Sequence, residues 1–367
     1  MTTRYVGVGG DDGNSGLTWA LRKLTLNGVE DTPVVAGDTV YVGPGTYREL
    51  LTCDWAGSAG LPITYIGDYS GANTDGVGGI VRITGSDDDV TATRANAIVA
   101  AAGKHYRTFR GFVLDMGTSH TVSATACTNW TIAQCVVTCA GSNLAAIYCA
   151  GAGQASWLIQ NCYVWGRQEG ILFTHTVAVD NAGHVVENCI LEVASGSSYA
   201  ALYILRVGGG TVRNCLFRNC YNCIRVSTLT AGQIVTVNNC LFYGGPGTAL
   251  IATTLGELVE DYNDIYAVTA RSNVDTGANS SSAPLFFDAR WFFEAVAGTK
   301  LLSFFDVASY WALLNTAGTS PTTTDLRGTS VQGAQREWGP LEYDTAVLAK
   351  CGASGGTVNH LTGKVGG

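Results

Sequence analysis

The chain has 367 residues, a formal net charge of −8 and only 14% charged residues, which excludes a general nucleic-acid partner because that would need a basic stripe. Forty-seven glycines against seven prolines point to many tight bends, and no apolar run is long enough to read as a membrane span. The twelve cysteines follow no export segment, so stacked reduced thiols are expected rather than a disulfide framework.

Residues 4–8 open as an extended piece, followed by a polar turn at 11–16. Residues 18–24, with a Thr start and spaced apolar positions, are predicted to form a short amphipathic helix. Such a helix would cover the open end of a stacked structure, where unpaired backbone groups would otherwise face solvent. Residues 37–47 alternate as a strand and close on a Pro-Gly turn. Between 50 and 117 the pattern is irregular, with strands expected at 63–66, 81–84 and 108–114 and a projecting loop at 70–79.

The centre of the chain carries a repeat. Leu158-Ile159-Gln160-Asn161-Cys162 is answered by Asn188-Cys189, Asn214-Cys215 and Asn239-Cys240, the cysteines falling 27, 26 and 25 residues apart. Cys135 fits one step earlier and Asp264 one step later. Ile171 and Ile224 each follow their ladder cysteine by nine residues, so each coil is read as two strands joined by a short bend. Repeats of this length, β-branched and without long helices, bury their apolar faces only against their neighbours. An all-β, right-handed parallel β-helix of about nine coils, ~45 Å long at strand spacing, is the expected fold. Stacking places Asn161, Asn188, Asn214 and Asn239 in one column and Cys162, Cys189, Cys215 and Cys240 in another.

Beyond 272 the composition shifts. Residues 279–282 read as a linker, 304–314 as an amphipathic helix, and 346–367 as a Gly-rich tail. Nine aromatic side chains crowd between Phe286 and Trp311. The divisions expected are 1–47 (cap and first coil), 48–271 (β-helix), 272–344 (cap or docking segment) and 345–367 (tail).

The phrases at 10–16 and 37–47 resemble the amino-terminal signature of right-handed parallel β-helix repeat proteins with the pectin-lyase-like fold, and those at 283–288 and 336–343 resemble that family's closing phrases. The family spans polysaccharide lyases, glycoside hydrolases, adhesins and phage tail or surface proteins, so the resemblance bears on fold more than on function. It implies, for a lyase, an Arg or Lys base beside carboxylates that hold Ca²⁺, and for a hydrolase two or three carboxylates around one sugar.

Arg167, Glu169, Arg218 and Arg225, just past the ladder strands, are the catalytic candidates. Tyr163, Trp165 and Tyr243, with Phe217 and Phe242, recur around the ladder and are the candidates for stacking on sugar rings, against the plainer reading that they pack under loops or another copy of the chain. Glu187 and Arg213 are expected to stack as an ion pair of structural value. Asp87, Asp88 and Asp89 could hold Ca²⁺ but read more simply as solvated acids; no cofactor is expected. His175 and His184, and the Cys215, Cys220 and Cys223 group, lack metal-ligand spacing, and no metal is expected.

With no legible catalytic set, the sequence favours a phage virion surface or tail-associated structural protein that binds host glycans over a polysaccharide lyase or hydrolase. The expected setting is the virion, assembled in the host cytoplasm, with an extracellular enzyme as the alternative. The expected partners are other virion proteins, surface polysaccharide and two further copies of the chain in a homotrimer built through the aromatic carboxy-terminal part.

Overall fold

A computed structural model describes residues 1–280 and 282, apart from 140–144, 176–182, 194–198, 207, 230 and 267. The expectations for 304–314, the closing phrases and the Gly-rich tail lie outside the described residues.

The chain winds as a right-handed parallel β-helix of about nine coils. Three parallel sheets of ten, nine and nine strands run its length, and every third strand joins the same sheet. We call them A, B and C in the order that one coil visits them. One coil runs through Leu158–Gln160 in A, Tyr163–Gly166 in B and Ile171–Thr174 in C. Two strands per coil were expected, and three are found. The Asn-Cys phrase divides what reads as one strand, because Asn161 takes a left-handed φ of 54° and turns the chain from A to B. The same correction applies at 108–114, where Gly111 at φ 80° separates Arg107–Arg110 from Val113–Gly117.

The corner from A to B explains the repeat. Gly111, Gln134, Asn161, Asn188, Asn214, Asn239 and Tyr262 occupy it on successive coils, all at positive φ. After glycine, asparagine is among the residues that adopt this conformation most readily. After five of these corners a cysteine follows, Cys135, Cys162, Cys189, Cys215 and Cys240, and each is buried. Its thiol donates to the carbonyl two residues back, as in Cys162 Sγ to Gln160 O at 3.1 Å and Cys189 Sγ to Glu187 O at 3.1 Å. All eleven described cysteines are free and buried. Burial pushes the Cys135, Cys189 and Cys240 thiols well up, so these members of the column are neutral, small hydrophobes.

Inside sheet A, Val40, Tyr65, Phe109, Ile132, Ile159, Val186, Val212 and Val237 are fully or almost fully buried. An aromatic stack runs beside them: Tyr65 on Phe109 at 5.2 Å, Phe109 by Trp130 at 5.5 Å, Trp130 on Trp157 at 5.1 Å, and Trp157 edge-on to Phe173 at 6.4 Å. On the outside of the sheet, Thr39, Thr64, Thr108 and Thr131 align in register.

The amino-terminal helix is displaced from its expected place. Residues 18–24 hold only a single 3-10 turn, Trp19–Leu21, with no buried residue. The buried helix is Leu26–Glu30, capped by Thr25, whose Oγ1 accepts from Gly28 N at 2.9 Å. Leu26 and Val29 enter the core, while Trp19–Leu21 lacks the length to present an apolar stripe.

Below this helix lies an ion pair that sequence reading missed. Arg107 and Glu30, 0% and 2% exposed, are bonded at 2.6 and 3.0 Å. Glu30 also accepts from Tyr65 Oη at 2.5 Å and Asp54 N at 2.9 Å, and Arg107 Nε donates to Trp55 O at 2.8 Å. Each guanidinium nitrogen of Arg107 and each carboxylate oxygen of Glu30 has at least one partner, the condition under which a buried charge pair is tolerated.

Candidate functional site

The four catalytic candidates fall in three places. Arg167 is exposed at the corner from B to C. Arg218 lies on the outer face of sheet B in a nearly buried ion pair with Glu192. Glu169, at the corner into Ile171–Thr174, and Arg225, two coils further on in sheet C, are on the same side of the solenoid, and the Arg225 charge partly offsets the burial of Glu169.

Sheet C positions this pair. Its outward column runs Tyr148, Leu172, Tyr203, Arg225 and Ile251, one residue per coil, in register. The Arg225 guanidinium lies 5.0 Å over the Tyr203 ring, a cation–π contact that fixes its position on the column. Two coils away His120 stacks on Tyr148 at 4.0 Å and 7°, and its Nδ1 lies 3.2 Å from Ala145 O. Burial lowers His120 to about 4, so this ring is neutral near pH 7. Glu169 sits at the corner that leads into Ile171–Thr174 and is 8% exposed. Burial raises its carboxyl to about 7, so it is poised between proton donor and acceptor.

The site therefore brings together a positive charge, half-buried tyrosines and one carboxyl that can carry a proton. His120, Tyr148 and Tyr203 were not singled out from sequence. A signal was present: Ile171 and Ile224 mark the same inward column of sheet C, so Leu172 and Arg225 must share the outward one.

The three stacking candidates, Tyr163, Trp165 and Tyr243, do share one face, the outside of sheet B. They are half-buried there. Tyr163 Oη donates to Glu192 at 3.3 Å, and Tyr243 stacks on Tyr266 at 6.1 Å. Phe217 and Phe242 face inward and stack on each other at 4.9 Å, which removes them from the candidates.

Other expected sites resolve as structure. Asp89 pairs with Arg48 at 2.5 Å and with Arg82, and Asp87 pairs with Arg94 at 2.5 Å. Asp88 accepts from Val90 N and Thr91 N at 2.9 and 2.7 Å. These acids close a loop against arginines and are neither simply solvated nor gathered around a cation. Glu187 and Arg213 form the expected pair at 2.6 Å on the outside of sheet A. His184 is a core residue, stacked on Phe173 at 4.2 Å, accepting from Trp157 N at 3.3 Å and lowered to about 3 by burial. Among the described residues no group of three His, Cys, Asp or Glu is arranged to hold a metal ion. A polar pit lined by Asp68, Ser70, Asn73, Arg110 and Gln134 has its carboxylate occupied by Ser70 Oγ, Asn73 N and Thr74 Oγ1 at 2.7–3.0 Å.

Residues 145–282 match the family model described as the right-handed beta helix region, and the chain has the right-handed parallel β-helix fold. A solved structure of XylC with xylose is similar at 13% identity and a TM-score of 0.58, covering 78% of this chain and 70% of that one. The pectate lyase Pel9A is similar at 14% identity and a TM-score of 0.54, covering 94% and 97%. At these identities the likeness is one of fold. No curated protein matches the sequence.

Proposed function

We propose that this chain is a glycan-binding β-helix whose recognition site is the edge of sheet C around Arg225, Tyr203 and Glu169, and that its ligand is an acidic polysaccharide. The observation that carries this reading is Arg225, held over the Tyr203 ring on an outward column, with its charge acting on the nearly buried Glu169. The positive charge of Arg225 attracts an acidic chain, and flanking rings give a sugar an apolar surface. The setting proposed is a virion surface or tail-associated structural protein; it rests on the sequence composition and on the lack of a recognisable catalytic set.

A second reading is favoured by one observation. A carboxyl raised to about 7 beside an arginine is suited to general acid-base work in lyase or hydrolase chemistry. Incubation with a panel of acidic and neutral polysaccharides separates the two. Binding of an acidic member without new unsaturated or reducing ends, weakened about tenfold or more by Arg225→Ala, supports the binding protein. New chain ends that disappear in Glu169→Gln would establish the enzyme, and no binding to any acidic member would refute the proposed site.

A further inference from the structure

The outer face of sheet B changes character along the helix. Its first outward column reads Val113, Val136, Tyr163, Ile190, Leu216, Leu241 and Asp264 in register. Val113 and Val136 are half-exposed, as outward residues of a solenoid should be. Ile190 is 5% exposed, and Leu216, Leu241 and Asp264 are 0% exposed. None of these three apolar side chains belongs to the core cluster, whose contributions from the same strands are Leu191, Phe217 and Phe242. Among the described strands and helices, the close contacts of Ile190–Val193, Leu216–Arg218 and Leu241–Tyr243 are with one another, with their neighbours in sheet B and, for Ile190–Val193, with Ala200–Leu205 of sheet C. A shielded apolar column on the outside of a sheet, bordered by tyrosines and an ion pair, is the anatomy of an interface.

The path of the chain indicates what meets it. After the last strand of sheet C, Thr269–Ser272, the chain turns back to the last coil. There Gly277 N and Ser280 Oγ both donate to Glu260, at 2.8 and 2.5 Å, and Asn279 N donates to Asp261 at 2.8 Å. Ser280 Oγ also accepts from Asn263 N at 3.1 Å. Asn263 directly precedes Asp264–Tyr266, the last strand of sheet B. The chain is thus anchored beside the carboxy-terminal end of that face, which is the end where the shielding occurs. From Asp264 to Ile190 is three coils, roughly 15 Å at strand spacing, well within reach of the chain that follows.

We infer that the segment between residues 283 and 344, rich in aromatics such as Phe286, Trp291, Phe304 and Trp311, docks on the outer face of sheet B of its own chain over Ile190, Leu216 and Leu241. Tethering favours this occupant over a separate molecule, because an anchored segment is present at a high effective concentration. The half-buried Tyr163, Trp165 and Tyr243 form the rim of the interface, and the Glu192–Arg218 pair lies within it. This reading assigns the face to assembly of the chain itself and leaves the sheet C site open to ligand. A homotrimer built through the same segment is the competing occupant.

The test is photo-crosslinking of the full chain with p-benzoylphenylalanine in place of Tyr243, and in a second variant in place of Thr138, on the same sheet four coils nearer the amino terminus. An equal mixture of isotope-labelled and unlabelled chains distinguishes crosslinks within a chain from those between chains. The inference expects the position 243 probe to capture peptides from 283–344 within one chain, and the position 138 probe to capture none. Crosslinks that join labelled to unlabelled chains would overturn it in favour of a second copy. Crosslinks from position 243 only to the coils, or their absence, would overturn docking on this face altogether.

Discussion

The corner from A to B provides a sharp test of why asparagine repeats. Asn161 sits there at φ 54°, its backbone N–H donating to Glu187 O at 3.2 Å. If backbone conformation is what selects asparagine, replacements should rank by how readily they enter the left-handed region. Asn161→Gly should lie within ~0.5 kcal/mol of the native chain, since the easier conformation offsets the greater freedom of glycine in the unfolded state. Asn161→Ala should lose about 1 kcal/mol and Asn161→Val about 2 kcal/mol, the latter because a β-branched side chain crowds most at positive φ. Urea unfolding followed by circular dichroism reads the series, with the denaturant slope checked across variants, because a solenoid can lose cooperativity coil by coil. Equal losses for Gly and Ala would refute the argument: the side-chain amide, bonding along the column, would then be what the repeat preserves.

Two other outcomes are expected. Glu30→Gln should destabilise the chain by roughly 3 kcal/mol, because it leaves the buried Arg107 without its counter-charge, and thermal unfolding will show it. Glu169→Gln should match the native chain at pH 4 and exceed it by roughly 2 kcal/mol at pH 8, after allowance for solvent screening at this corner. The sign follows from proton binding: below the ordinary value of 4.5 both states are protonated, whereas between 4.5 and about 7 only the unfolded carboxyl ionises, so native stability falls as pH rises through that window. Denaturant midpoints of both chains across this range check it, and a difference that does not change with pH would refute the assignment.

The β-helix itself was legible because stacked coils repeat their chemistry. The Asn-Cys phrase, the inward Val and Ile positions and the Glu187–Arg213 pair all follow from one period. The third strand of each coil was not, since Asn161 and its equivalents look like residues within a strand until their left-handed backbone is known. Nor could the period reveal contacts made once. Glu30 and Arg107 are 77 residues apart and belong to no repeat, and the amino-terminal helix forms where Leu26 and Val29 find a core to enter rather than where local pattern is strongest. At the candidate site the register needed to align Tyr148, Tyr203 and Arg225 was implicit in Ile171 and Ile224. The approach of Glu169 to Arg225, however, depends on how the corner from B to C bends, and that corner varies in length from coil to coil. The buried Leu216 and Leu241 were hidden for a different reason: Phe217 and Phe242 face inward, and alternation would then leave the residues beside them solvated.

The aromatic stack through the core gives the molecule an optical signature. Trp130 and Trp157, 5.1 Å apart and inclined by 15°, belong to adjacent coils, so their indole transitions interact only while those coils keep register. A slip of one residue between them would turn one ring to the opposite face of the sheet and uncouple the pair. The near-ultraviolet dichroism of the intact chain therefore reports the alignment of two particular coils at the centre of the solenoid, independently of how much strand the whole molecule retains.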